Sequence, residues 1–515
     1  MAAAIKTPGV YIKELNAFPN SVVEVATAVP AFIGYTEKIP PGPNTPTRLS
    51  SLKEYQEMFG GAPPTRFKFT DAEKIDVDPA SQFLLYSSMR LFFDNGGGPC
   101  WICSIGTYDA AAKAGKKKDD FLAPIAENGD LEKQLEPTML VAPDAVLLGE
   151  DDWQVVCQQF LAHCAKMQNR VSILDVFNGD KARTNKPDDV VNHFRDRITS
   201  DFLNYGQAYY PWVNTSIVDD SDVDYQAISA DTLEAFGKAL TAAVSNVPEP
   251  LKTGITNLVT RMKPAIDEDA ANKQALKEGK DAPFPAKGKP GDATPPNVKQ
   301  VHRSLLAVSP LYLKAMGSIR QKLNVLPPSG GMAGVYTRID NAIGVFKAPA
   351  NTGMNSVSSP VVDITSAEQE DLNMPLDGKA INAIRAFPGR GVLIWGARTL
   401  DGNSQDWRYI NVRRTIIMLE QSIKFASLAY VFEPNNASTW VTMKNMISNF
   451  LTNQWKAGAL VGAKPEDAYS VDIGLGSTMT GDDILNGFLN ITVKVALVRP
   501  AEFIVITFQQ KMQTS

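Results

Sequence analysis

Histidine is nearly absent from this chain, with three residues in 515, at His163, His193 and His302. None has metal-ligand spacing or a nucleophile partner, which removes most hydrolytic and metal-dependent chemistries. Cysteine is almost as scarce, at four residues. Cys100-Trp101-Ile102-Cys103 has C-x-x-C spacing, but it follows Gly96-Gly97-Gly98-Pro99 and reads as a strand. Residues three apart on a strand point to opposite faces, and a redox pair wants its first thiol at a helix N-terminus. Cys157 and Cys164 share one face of an apolar helix, so all four are expected as buried structural thiols. No apolar run approaches the roughly 20 residues of a bilayer span; Phe503-Ile504-Val505-Ile506 is typical of the longest. The opening MAAAIKTPGV has no apolar core of signal-peptide length before Pro8, so folding in the cytosol is expected. Charge of one sign is missing too. A net charge of -5 and a pI near 5.5 oppose nucleic-acid binding, which needs a clustered basic surface. The run Lys116-Lys117-Lys118 is followed at once by Asp119-Asp120 and is expected as a solvated loop. A phosphate loop is also lacking. Leu326–Gly334 is rich in glycine but no Gly-Lys-Ser/Thr follows, so a turn permitting close backbone packing is expected. Asp472–Ser477 has glycines but no surrounding βαβ unit.

A length of 515 residues implies two or three domains, and 44% hydrophobic with 21% charged residues implies a folded globular chain. Thr7–Glu14 is expected as a short strand, and Val22–Tyr35 as a buried, β-branched one. Strands so close to the terminus need a distant edge as partner. From Thr138 to Val213 strands and helices alternate, which predicts a mostly parallel α/β sheet. Helices are expected over Asp151–Asn169 and Asp189–Asn204, and strands over Thr138–Asp144, Arg170–Asp175 and Gly206–Val213. Asp144 and Asp175 end two of these strands, where acids often carry chemistry. Nothing near them completes a site, and loop capping is the better account.

Ser216 to Lys322 stands apart. It holds an amphipathic helix near Asp231–Val244 and a polar run from Asp267 to Asn297, expected as a solvated, mobile loop. Helical spacing returns over His302–Leu323. Two strong helices follow further on. One carries Ile410, Ile416, Ile417, Leu419, Ile423 and Ala426 on one face. The other, with Ser438 as N-cap, buries Trp440, Met443, Ile447, Phe450, Leu451 and Trp455. Leu489–Leu497 alternates as a strand, and Ala501–Phe508 is expected as a final one.

Nine segments, in order, resemble contractile tail sheath proteins of phage tails and phage-tail-like injection systems. They are TPGVYIKE from Thr7, TAVPAFIGYT from Thr27, YYPWV from Tyr209, LPPSGGMAGVYTRID from Leu326, GVFKAPAN from Gly344, GARTL from Gly396, WRYINVRR from Trp407, FEPNN from Phe432 and RPAEFIVITF from Arg499. The resemblance implies a mixed α/β fold in which both chain ends build an inner domain and an outer α/β domain is inserted between them. The expected boundaries are 1–36 for an N-terminal arm, 37–215 for the inserted domain, 216–322 for a lineage-specific insertion, 323–350 for its return and 351–515 for the C-terminal sheath domain.

The resemblance further implies a structural subunit, not an enzyme, without cofactor or metal. Such subunits stack as hexameric rings around an inner tube and contract to drive it through an envelope. Implied partners are further copies of the chain, an inner tube protein, and baseplate and tail terminator proteins, with no nucleic acid and no membrane insertion. Assembly in the bacterial cytoplasm is implied as well. Strand donation between subunits would use Val10, Tyr11 and Ile12 at one end, and Phe503, Ile504, Val505, Ile506, Thr507 and Phe508 at the other. Lys444 and Lys456 are candidates for contacting the inner tube, and Arg398, Arg413 and Arg414 for bracing the core. The alternatives are a non-contracting component of the same assembly, or an α/β enzyme using Asp144 or Asp175.

Overall fold

The computed structural model describes residues 21–506, apart from 41, 72–73, 185, 187, 246 and 285–296. The chain forms two compact units, one of residues 27–413 and one of residues 1–26 with 414–515.

The larger unit is built on a nine-stranded sheet. Its order is Thr352–Gly353, Gly391–Trp395, Asn382–Phe387, Gly206–Tyr210, Val171–Asp175, Met139–Val141, Pro30–Thr36, Cys100–Thr107 and Thr47–Leu49. The six strands from Asn382–Phe387 to Cys100–Thr107 run parallel, and the outer strands pair antiparallel. Helices on the faces explain why the central strands read as unbroken apolar runs: every residue of Pro30–Thr36 and Val171–Asp175 is buried.

Several boundaries differ from expectation. The first strand begins at Pro30, not Val22, because Val25 N–H donates to the Ser422 hydroxyl and Val29 N–H to that of Thr138. The helix expected over Asp189–Asn204 stops at Arg197. Gly206–Val213 divides into Gly206–Tyr210 and Val213–Thr215, which belong to different sheets. Residues 352–395 hydrogen-bond into the large sheet, so the division expected at 350/351 falls at 413/414.

Leu326–Gly334 is not a turn: Ser329–Ala342 is a helix. Close packing is nevertheless its purpose. A Cβ at Gly330 would sit 2.7 Å from Ser88 Cβ, and one at Gly334 2.7 Å from Asn95 Cβ. Both meet the helix Leu85–Asp94 and its C-cap.

Residues 216–322 build a second core with the hairpin Phe67–Asp71/Lys74–Val77, where Phe67, Phe69, Phe236, Met262, Val301 and Tyr312 pack together. The polar run is helical through Lys277, contrary to the loop expected from Asp267. Glu249–Lys277 is one helix, held by buried Ile255, Met262 and Ala265 and by the Arg261–Glu268 and Lys273–Asp269 ion pairs. Pro310 divides His302–Leu323 into two helices, with Ser309 capping the second.

The smaller unit contains the continuation of the helix Ile410–Ser427 beyond Arg413, the helix Ala437–Lys456, and an antiparallel ribbon of Tyr469–Asp472 with Thr492–Val495. Asn436, not Ser438, caps the second helix, accepting from Ser438 N at 3.1 Å and Thr439 N at 3.2 Å. The strand expected over Leu489–Leu497 is confined to Thr492–Val495. Beyond it Ala496 N–H turns to Ala468 O and Val498 N–H to Ala459 O.

Candidate assembly surface

The two strand-end acids are occupied by the fold itself. Asp144 is fully buried and accepts from Tyr35 N at 2.9 Å, Leu84 N at 2.5 Å and Leu85 N at 3.1 Å, capping the helix Leu85–Asp94. Burial raises its carboxyl above the ordinary range, against the pull of those three donors. Asp175 accepts from Ser329 N at 2.9 Å and Ser329 Oγ at 2.5 Å, capping Ser329–Ala342; burial pushes its pKa up to about 7. The cavity beside it measures about 10 Å³, barely one water molecule, so no substrate reaches that carboxyl. The four thiols are free and buried. Burial pushes Cys103 and Cys164 up to about 12 and Cys100 and Cys157 higher still, which keeps them protonated and unreactive. Among the described residues no group of His, Cys, Asp and Glu could hold a metal ion.

The three arginines singled out from sequence are all inside. Arg398 donates to Asn373 O at 3.2 Å and Gly402 O at 3.3 Å. The Arg413 guanidinium lies between aromatic faces, 4.1 Å from the Tyr205 ring centre and 4.7 Å from that of Trp407, and donates to Tyr205 Oη at 2.5 Å. Arg414 is 5% exposed. Side chains buried in this way are out of reach of phosphate.

What the smaller unit offers is surface. It holds a quarter of the chain yet, among the described residues, fourteen of the twenty-three exposed large hydrophobic ones. Foremost are Phe503, Ile504, Val505 and Ile506, at 68%, 79%, 89% and 70% exposure. They follow Pro500 and belong to no strand, so the strand expected over Ala501–Phe508 is not formed in its described part. Thr507 and Phe508, like Val10, Tyr11 and Ile12, lie outside the described residues.

The ribbon close behind this tail is similarly incomplete. Among the described residues no further strand pairs with its outer edges, and an isolated two-stranded ribbon is marginal in water. Here the helix Ala437–Lys456 supports it, with Thr452 and Tyr469 hydroxyls 2.6 Å apart. The root of the N-terminal arm is fixed on the same unit: Val25 N–H donates to Ser422 Oγ at 3.1 Å, and Glu24 accepts from Gln454 Nε2 at 2.9 Å.

On Ala437–Lys456, Met443, Ile447, Phe450 and Leu451 are buried as expected, while Trp440 and Trp455 are half-buried. Lys444 and Lys456 are exposed, and the helix carries no acid. One feature escaped the sequence reading. The connection before this helix exposes Leu428, Val431 and Phe432, and the FEPNN turn was its only signal.

Comparison with known proteins places these features. Residues 403–511 match the family model of the phage tail sheath C-terminal domain. The tail sheath protein of Salmonella phage ViI is 28% identical over 157 residues, 30% of this chain; the match spans about a quarter (24%) of that relative's length. Two solved assemblies align along nearly the whole chain. The helical sheath of the anti-feeding prophage in its contracted state is 28% identical, with a TM-score of 0.60, covering 99% of this chain and 100% of the other. The sheath complex of the extracellular contractile injection system PVC, also contracted, is 25% identical, with a TM-score of 0.58 and 99% of both chains covered. Residues 403–511 thus resemble a sheath C-terminal domain, and the chain over its length has the mixed α/β fold of these contractile sheath structures.

Proposed function

We infer that a chain with this domain and fold is a structural subunit of the contractile sheath of a phage tail or a phage-tail-like injection system. Subunits would stack in rings around an inner tube and contract to drive it forward. The observation that carries this reading is the exposed apolar tail Phe503–Ile506, which belongs to no strand and leaves a unit whose ribbon, among the described residues, has open edges. A neighbour's ribbon edge would take up the tail, and the arm through Val10, Tyr11 and Ile12 would do likewise. Main-chain hydrogen bonds then hold subunits together, each contributing about 0.5–1.5 kcal/mol net. An extended chain spans about 3.3–3.6 Å per residue. From Val498 to Phe508 the tail therefore reaches roughly 35 Å, enough to enter an adjacent subunit and remain attached while the domains turn.

Lys444 and Lys456, on an acid-free helix, are proposed to face the inner tube. Arg398, Arg413 and Arg414 would keep the core rigid enough to transmit force. Contraction would draw on differences in packing between two arrangements of the subunits, without nucleotide. The alignment to two contracted sheaths favours a contracting component over a static one.

Electron microscopy of the purified protein, alone and co-expressed with its presumed tube, tests this reading. Striated tubes with a ringed repeat are expected, in two diameters if contraction occurs. Uniform small particles under both conditions would contradict it.

A further inference from the structure

A cavity of about 470 Å³ lies within the larger unit, between the helix Leu85–Asp94 and the second core built by residues 216–322. That is the size of a small-molecule site, and junctions between packed layers commonly hold such sites. Apolar side chains form much of its wall, among them the buried Phe83, Val223 and Leu326.

Six charged side chains line the same cavity, and four of them are engaged nearby. Lys273 pairs with Asp269 at 2.6 Å and Lys322 with Asp76 at 3.1 Å. Asp224 accepts from Gln226 N at 2.7 Å, and Asp222 from Asp219 N at 3.1 Å, each within its own turn. The two arginines are left over. The Arg66 guanidinium has no acid partner among the described residues and donates only to Gln226 O. Arg90 makes no side-chain hydrogen bond among the described residues. Its one ion-pair contact, with Asp222, spans 3.8 Å, beyond hydrogen-bond reach. Both arginines are half-buried, so most of their ten N–H donors are partly removed from water with nothing to replace it.

We propose that this cavity binds a small organic anion. Arg66 and Arg90 would hold its carboxylate or phosphate head, and Phe83, Val223 and Leu326 would pack against its apolar body. The guanidinium fork matches either head group in a bidentate manner. Bound there, the ligand would join the helix Leu85–Asp94 to the second core and stabilise their mutual position. The site goes beyond the sheath reading and requires no assembly, so the two stand or fall separately.

Isothermal titration calorimetry of the full-length protein with 2-naphthyl phosphate, 2-naphthoate, 2-naphthol and inorganic phosphate tests the proposal. At least one naphthyl anion should bind a single site about tenfold or more tighter than 2-naphthol or inorganic phosphate. Which anion binds better identifies the head group. Arg66→Gln and Arg90→Gln should each weaken that anion about tenfold, the usual worth of a hydrogen bond to a charged group. Arg385→Gln, outside the cavity, should change nothing. Glutamine is about as good a helix former as arginine, so Arg90→Gln is expected to fold, and melting by circular dichroism checks both variants. Wild-type selectivity needs no substitution and decides even where a variant fails to fold. Binding of 2-naphthol as tight as that of both anions would overturn the proposal. So would full anion affinity in either folded variant, or no saturable binding to the wild type.

Discussion

Asp175 shows how a residue can look catalytic in sequence and be structural in the fold. Its carboxyl caps Ser329–Ala342 from a buried position, and that burial raises its pKa to about 7. The folded state therefore binds its proton more tightly than the unfolded chain, whose carboxyl titrates near 3.9. Its contribution to stability is complete below about pH 4 and is lost progressively as pH rises through 7, by a few kcal/mol in all. Asp175→Asn keeps an acceptor for Ser329 N–H and removes the ionisation. The variant should melt close to wild type at pH 5 and above it at pH 8; parallel melting temperatures at both would contradict this. The glycines of the same helix make a second residue-scale case. A Cβ at Gly334 would overlap Phe92 O, so Gly334→Ala should cost about 1–3 kcal/mol in denaturant unfolding, despite alanine's better helix propensity. The sequence marked Gly334 as a close-approach residue but not as helical, because three glycines in six residues outweigh helix propensity until the packed partner is known.

At the level of elements, legibility followed burial. The strands Met139–Val141 and Val171–Asp175 were readable because both sheet faces are covered and the apolar runs are continuous. The helix Glu249–Lys277 was not readable, since only Ile255, Met262 and Ala265 are buried and its outer turns resemble a loop. The cap of Ala437–Lys456 was misplaced by two residues because Asn436 and Ser438 are both good N-caps, and the tight FEPNN turn decides for Asn436. Asn436→Ala should therefore cost about 1 kcal/mol in chemical denaturation, and Ser438→Ala much less. The terminal segments are a different matter. Their β-type sequence was plain, but no strand forms at Phe503–Ile506; under the proposed function the partner edge would belong to another subunit.

For the whole molecule, the two units differ in how completely they bury their apolar side chains. Residues 27–413 bury a large parallel sheet and a second helical core. The smaller unit leaves much of its apolar surface open and is the part matched by the sheath C-terminal domain model. The sequence suggested assembly through the order of its motifs, but it could not show that Asn435 fastens the loop before Ala437–Lys456 to the one before Thr492–Val495. The most direct test of assembly by donated strands is electron microscopy of the full chain beside a variant truncated after Arg499, at matched concentrations. Donation predicts that the truncated chain remains folded, with unchanged monomer melting, and yields only dispersed particles where the full chain yields striated tubes. Ordered tubes from the truncated chain would contradict the account.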